Sequence, residues 1–188
     1  MARSRIVLAG EGGHGVQSVA KILVEAAYEA NKQVLYIPNF GVEQRGGVSI
    51  AFCQISDTPI GEPRFSKADI VVMLSDRAID RCSTYVDENT IVIYDPSVCH
   101  TKPEMKAKKI IGIPANKISQ DELSTRVFNI IVLGIILEST QVVEVEFAKH
   151  AMEKALGKKF VAKPELRELN FAAMEKGIQL MKEQAAAV

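Results

Sequence analysis

Arg5-Ile6-Val7-Leu8-Ala9-Gly10-Glu11-Gly12-Gly13-His14-Gly15-Val16 is the stretch on which the fold turns. Its first half is a continuous apolar run, the pattern of a strand buried on both faces. Its second half is Gly-x-Gly-x-x-Gly. A helix follows over 16–29, with Val16, Val19, Ala20, Leu23 and Ala27 spaced along one face. A second strand, 33–37, ends at Pro38. Strand, helix and strand in this order predict parallel strands joined by a right-handed crossover.

Further along, strands are predicted at 48–56, 69–74, 90–94 and 109–113, with a short helix opening at Ser75-Asp76. The alternation predicts an α/β/α three-layer fold, a mostly parallel sheet with a Rossmann-like first unit, and a helical segment at the C-terminus. There, Ser119-x-x-Glu122 reads as a capping box starting a helix to about Glu138 that is apolar nearly all round. Two more helices follow, 142–156 and, from Pro164 as its first residue, to about Gln184. No linker or internal repeat interrupts the chain, so residues 1–188 read as a single domain.

Composition narrows the function. The chain has 188 residues, 23 basic and 23 acidic side chains, 47% apolar and 24% charged residues, values of a globular domain. Zero net charge speaks against general nucleic-acid binding, which needs a basic field. Cys53, Cys82 and Cys99 form no CxxC pair, so neither a zinc knuckle nor a ferredoxin-type cluster can be built locally. Reduced thiols and the lack of a leader-like segment predict a cytoplasmic protein. The most apolar stretch, 127–137, is too short to span a bilayer, which takes about 20 residues.

Two loops are candidate sites. In the first, Gly10, Gly12, Gly13, His14 and Gly15 lie between strand and helix, where glycines let a backbone N–H row approach an anion and the helix N-terminus adds positive charge. The competing reading is a tight turn that packs helix on strand, with His14 bonding locally. A dinucleotide needs an acidic residue at the end of the second strand, and Ile37-Pro38-Asn39-Phe40 stands there. Glu11 would also repel a pyrophosphate. In the second loop, Gly41, Glu43, Arg45, Gly46 and Gly47 place a carboxylate and a guanidinium two residues apart among glycines. It reads either as a ligand or partner contact at the carboxyl edge of the sheet, or as a solvated loop with an ion pair of small worth.

Taken together, Gly10 to Val16, Gly41 to Gly47 and Ile55 to Ile60 resemble the gamma subunit of 2-oxoacid:ferredoxin oxidoreductases. Ala68-Asp69, Asn129 with Leu133-Gly134, and Asn170 with Gly177 fit the same resemblance, which covers nearly the whole chain. It implies a multi-subunit enzyme that oxidatively decarboxylates a 2-oxoacid to an acyl-CoA and reduces ferredoxin. Thiamine diphosphate with magnesium, and iron–sulfur clusters, supply that chemistry. This chain has no Gly-Asp-Gly diphosphate motif followed by Asn, and no cluster cysteines, so the resemblance implies that those groups sit on partner chains: alpha, beta and a ferredoxin-type delta subunit. The chain is then a structural or interface subunit near the path of coenzyme A, inactive alone and expected to self-associate when isolated. Two alternatives are a free-standing NAD-type oxidoreductase using Gly10–Gly15 and a module that senses a phosphate ligand. Pyruvate, 2-oxoglutarate, branched-chain and aryl 2-oxoacids all stay open as substrates.

Overall fold

The computed structural model describes residues 3–40 and 47–186. The first strand, β1 (Arg3–Glu11), leads through the glycine loop into α1 (Val16–Glu29), and then into β2 (Gln33–Asn39) and β3 (Val48–Ser56). β4 (Ile70–Met73), α2 (Asp76–Cys82), β5 (Ile91–Tyr94) and β6 (Lys109–Gly112) follow. The C-terminal part holds α3 (Ala115–Ile118), α4 (Phe128–Thr140), α5 (Val145–Ala162) and α6 (Glu165–Ala186).

The six strands lie in the order β2-β3-β1-β4-β5-β6. β3 is antiparallel to both of its neighbours, while the pairs β1–β4, β4–β5 and β5–β6 are parallel. Five strands therefore share one direction, as predicted. The first crossover is less simple than its order in sequence: β1 and β2 run the same way but do not touch, because β3 pairs with each of them. β2 is left at the edge, and there a residue without an N–H donor is tolerated. The strand accordingly continues through Pro38, paired with Ala51, to Asn39.

Alternation along β1 explains its unbroken apolar run. Ile6 and Leu8 enter a large core shared with α1, α4, α5 and α6, whereas Val7 and Ala9 enter a smaller core beneath α2. With both faces covered, no position from Ile6 to Ala9 is left for a polar side chain, and the charged residues of the strand lie toward its ends.

The helix α4 is enclosed as its composition predicted: ten of its thirteen residues are buried. Its start is not where the capping box placed it. Ser119 donates its hydroxyl to the carbonyl of Asn116, 3.1 Å away, and Glu122 pairs with Lys176 at 2.7 Å. Residues 115–123 instead form a short helix and a wide turn, and Ser124, in extended conformation, breaks the path before α4 begins at Phe128. α5 also starts later than predicted, because Gln141 ends α4 in a left-handed conformation and Val142 and Val143 are drawn into the core.

α4 and α6 cross at their backbones. A Cβ on Gly134 would lie 2.1 Å from the carbonyl oxygen of Met174, and one on Gly177 would lie 2.0 Å from that of Ile131. Each helix thus contributes one glycine to the crossing. No helix among the described residues is long and apolar enough to cross a membrane.

Candidate functional site

β1 and β4 are adjacent and parallel, but the chain leaves β1 for α1 on one face and β4 for α2 on the other. Their carboxyl ends border the crevice where ligands of open α/β sheets bind. The glycine loop forms one wall. Gly13 (φ 101°) and Gly15 (φ 71°) are left-handed, a conformation that costs other residues roughly 1–2 kcal/mol. Gly15 is the N-cap of α1 and has no side chain to cap with. It is also crowded: an added Cβ would meet the Asn129 side chain at 2.7 Å, so the start of α4 rests on the start of α1.

The loop is closed internally. His14 donates its backbone N–H to the carbonyl of Glu11 (3.1 Å), and Glu11 returns its N–H to His14 Nδ1 (3.3 Å). Accepting at Nδ1 places the ring proton of neutral His14 on Nε2. The ring stands edge-on to Phe128, with centroids 5.8 Å apart. Burial lowers its pKa from the usual 6.5, opposed by the charges of Glu11 and Asp95. Gly10 is closely surrounded: a Cβ there would sit 3.0 Å from His14 Nδ1 and 3.1 Å from Leu74 Cβ, so these side chains would have to shift to admit it. Gly12 is different: nothing lies within 4 Å of the place a Cβ would take.

Of the second loop, Gly41, Glu43, Arg45 and Gly46 lie outside the described residues. Gly47 is described, and it enters β3 beside the glycine loop, because Val48 pairs with Glu11 and Ser49 with Gly10. The stems of the two candidate loops are therefore brought to one edge. Gln17, in the first turn of α1, locks them together. Its amide donates to Ser49 Oγ (2.8 Å) and to the carbonyl of Ile50 (3.0 Å), while Tyr36 donates its hydroxyl to the Gln17 carbonyl oxygen. Neither Gln17 nor Tyr36 stood out in the sequence. Only a residue pattern linking helix N-terminus and edge strand would have shown them, and their partners lie 19 to 33 positions away.

Two carboxylates at the same end of the sheet were also missed. Asp95, 1% exposed, accepts from Ser97 N and Asn116 N, both at 2.7 Å, and so ties the end of β5 to α3. Asp76 accepts from Thr101 N (2.8 Å) and from the ring and backbone of His100. These bonds, that from Thr101 foremost, pull its pKa down to about 2. Both carboxylates brace loops. The three cysteines are buried and unpaired, with burial raising each thiol to about 12. Among the described residues no group of three or more His, Cys, Asp or Glu is placed to hold a metal ion.

The end of β2 also bears on the dinucleotide reading. A ribose-binding acid would belong on the strand next to β1, yet the neighbour is β3, and β2 is two strand spacings away, roughly 10 Å. Its last residue is Asn39.

Comparison with known proteins identifies the family of the chain. The family described as pyruvate ferredoxin/flavodoxin oxidoreductase matches residues 5–180. The 2-oxoglutarate synthase subunit KorC of Methanocaldococcus jannaschii is 34% identical over 186 residues, covering 96% of this chain and 95% of that protein. A keto/oxoacid ferredoxin oxidoreductase gamma subunit from Geobacter sulfurreducens superposes with a TM-score of 0.79 at 25% identity, over 96% of this chain and 99% of that one. The 2-oxoglutarate:ferredoxin oxidoreductase of Magnetococcus marinus, solved with 2-oxoglutarate, coenzyme A and succinyl-CoA, superposes with a TM-score of 0.86 at 23% identity. That likeness covers 97% of this chain but only 32% of the longer one. The chain belongs to the pyruvate ferredoxin/flavodoxin oxidoreductase family, as a gamma-type subunit of a multi-subunit 2-oxoacid oxidoreductase.

Proposed function

We propose that this subunit carries neither thiamine diphosphate nor iron–sulfur clusters itself, and that it serves the assembled enzyme through the edge where its two glycine-bearing loops meet. In this reading Gly10, Gly12, Gly13, His14 and Gly15 receive the pyrophosphate of coenzyme A at the N-terminus of α1. Glu43 and Arg45, with Gly41, Gly46 and Gly47, face the partner subunits or the same coenzyme. Alpha, beta and delta subunits supply thiamine diphosphate, magnesium and the clusters, ferredoxin takes the electrons, and the complex works in the cytoplasm. The chain alone turns over no 2-oxoacid and self-associates through surface meant for its partners.

The observation that carries this reading is the register that pairs Val48 with Glu11. It puts the stem of the Glu43–Arg45 loop against the anion-compatible loop, at the carboxyl edge of the sheet. A permanently charged planar fork suits a phosphate or carboxylate there. NAD fits less well, for want of an acid on the strand beside β1.

Reconstitution with the partner subunits tests it. Arg45→Ala is expected to leave the melting of the lone chain nearly unchanged, since exposed pairs contribute about 0–1 kcal/mol. It should weaken assembly or raise the KM for coenzyme A, with Arg45→Lys a partial rescue. Wild-type assembly and kinetics in Arg45→Ala would remove the loop from the site. Calorimetry with coenzyme A and NAD on the pure chain tests the glycine loop separately, and tighter NAD binding would reverse the assignment.

A further inference from the structure

On the α2 side of the sheet, near the edge strand, lies a cavity of about 410 Å³ that the reading above does not use. Four of the chain's eleven Phe and Tyr side chains line it: Phe40, Phe52, Phe65 and Tyr85. Three of them hold one another. The rings of Phe52 and Tyr85 stand 5.1 Å apart, those of Phe52 and Phe65 6.0 Å, and those of Phe65 and Tyr85 6.5 Å, all edge to face. The aromatic wall is thus preformed. Phe40, on the same cavity, is 66% exposed, although it is among the largest apolar side chains of the protein.

The remaining lining is polar. Arg64 lies on the cavity and makes no hydrogen bond or ion pair among the described residues, and Asn39 adds a carboxamide. A volume of this size falls within the ~300–1,000 Å³ usual for small-molecule sites. Aromatic walls beside a guanidinium that has no partner among the described residues match one ligand chemistry. A flat ring stacks on the aromatic side chains, and a phosphate takes the paired N–H donors of the arginine. An amide that both donates and accepts suits the edge of a base.

We propose that this cavity is a nucleotide site, in which the base packs among Phe40, Phe52, Phe65 and Tyr85 and the phosphate is held by Arg64. It is independent of the glycine-loop reading, since α1 and its loop serve the opposite face of the sheet. A free nucleotide and the nucleotide end of coenzyme A share the required chemistry.

The test titrates 5′-AMP, adenosine and coenzyme A into the purified full chain by calorimetry. The variants are Arg64→Gln and Phe40→Ala, both at exposed positions where the fold should persist, as circular dichroism would verify. Either variant should weaken 5′-AMP at least about fivefold, the scale of one lost stacking or phosphate contact. Adenosine, without a phosphate, should lose affinity in Phe40→Ala and keep it in Arg64→Gln. Coenzyme A binding much more tightly than 5′-AMP, with the same sensitivity to both variants, supports the site with the coenzyme as its source. Equal affinities support it with a free nucleotide. Millimolar 5′-AMP and coenzyme A giving no binding, or binding that both variants leave unchanged, would overturn the proposal.

Discussion

The crossing of α4 and α6 and the loop between β1 and α1 both depend on glycine, for different reasons. At the crossing, Gly134 and Gly177 each face the other helix's backbone, with a hypothetical Cβ about 2 Å from a carbonyl oxygen. Backbone cannot step aside without moving a helix. In the loop, Gly15 is demanded by a left-handed φ and by a side chain, and Gly12 by no neighbour within 4 Å. Glycine in the first region is a packing requirement. At Gly12 it is not, and a role in binding is the reason open to test.

The largest effect is expected at the crossing. Gly134→Ala should destabilise the fold by about 3 kcal/mol or more, at the upper end of the usual overpacking cost. For a chain of this length that is a drop in Tm of roughly 6–12 °C. Gly177→Ala should behave alike, and the double variant should cost less than the sum, because one displacement of α6 relieves both contacts. Thermal melts that are additive, or unchanged, would show that the helices are not held this close.

At Gly15 the expected loss is smaller. Gly15→Ala takes on the left-handed penalty, roughly 1–2 kcal/mol, together with contact against Asn129. Adding Asn129→Ala should recover the second part and leave the first. A full rescue would mean that the conformation of residue 15 costs nothing. No rescue would mean that Asn129 does not press on it.

His14 separates the regions by pH. Burial lowers its folded pKa, so the unfolded chain binds the proton more readily. Its contribution is complete above the unfolded pKa near 6.5 and declines as the pH falls from there toward the folded value. His14→Gln should flatten the stability of the chain over this window and leave the values above pH 7.5 within about 1 kcal/mol of wild type. Denaturant titrations at a series of pH values would show it, and an unaltered pH dependence would place the titration elsewhere.

The contrast also explains what could be read from the residues. β1, α1 and β3 were legible because each is a local pattern: an apolar run, a glycine-opened amphipathic helix, and nine residues between a glycine and Asp57-Thr58-Pro59. The bounds of β3 agree to the residue. Insertion of β3 between β1 and β2 was not legible, because chain order does not encode pairing. The Ser119–Glu122 pattern misplaced the start of α4, since a local cap motif competes with the break at Ser124 and loses. Gly134 and Gly177 were singled out as a pair only through the family resemblance, and the backbone atoms they face, on Met174 and Ile131, lie 40 or more residues away. At the site, the glycine loop was legible from its motif. The Gln17–Tyr36–Ser49 brace was not, since nothing in the individual residues marks them as partners.

The smallest expected change in stability belongs to Gly12, and it bears most directly on function. Its Cβ would enter open space, and its φ is not among the left-handed values of the loop. Gly12→Ala should therefore change the stability by no more than about 0.5 kcal/mol, and could raise it slightly by stiffening the unfolded chain. A ligand seated on the loop's N–H groups would still meet the new methyl, because close approach of an anion to backbone needs the bare Cα. If coenzyme A lies there, Gly12→Ala should weaken it by at least an order of magnitude, in calorimetry on the chain or in the KM of the reconstituted enzyme, with Tm held. An unchanged affinity at an unchanged Tm would identify Gly10–Gly15 as a turn that joins β1 to α1 and binds nothing, and the role of this subunit would then have to be sought away from this loop.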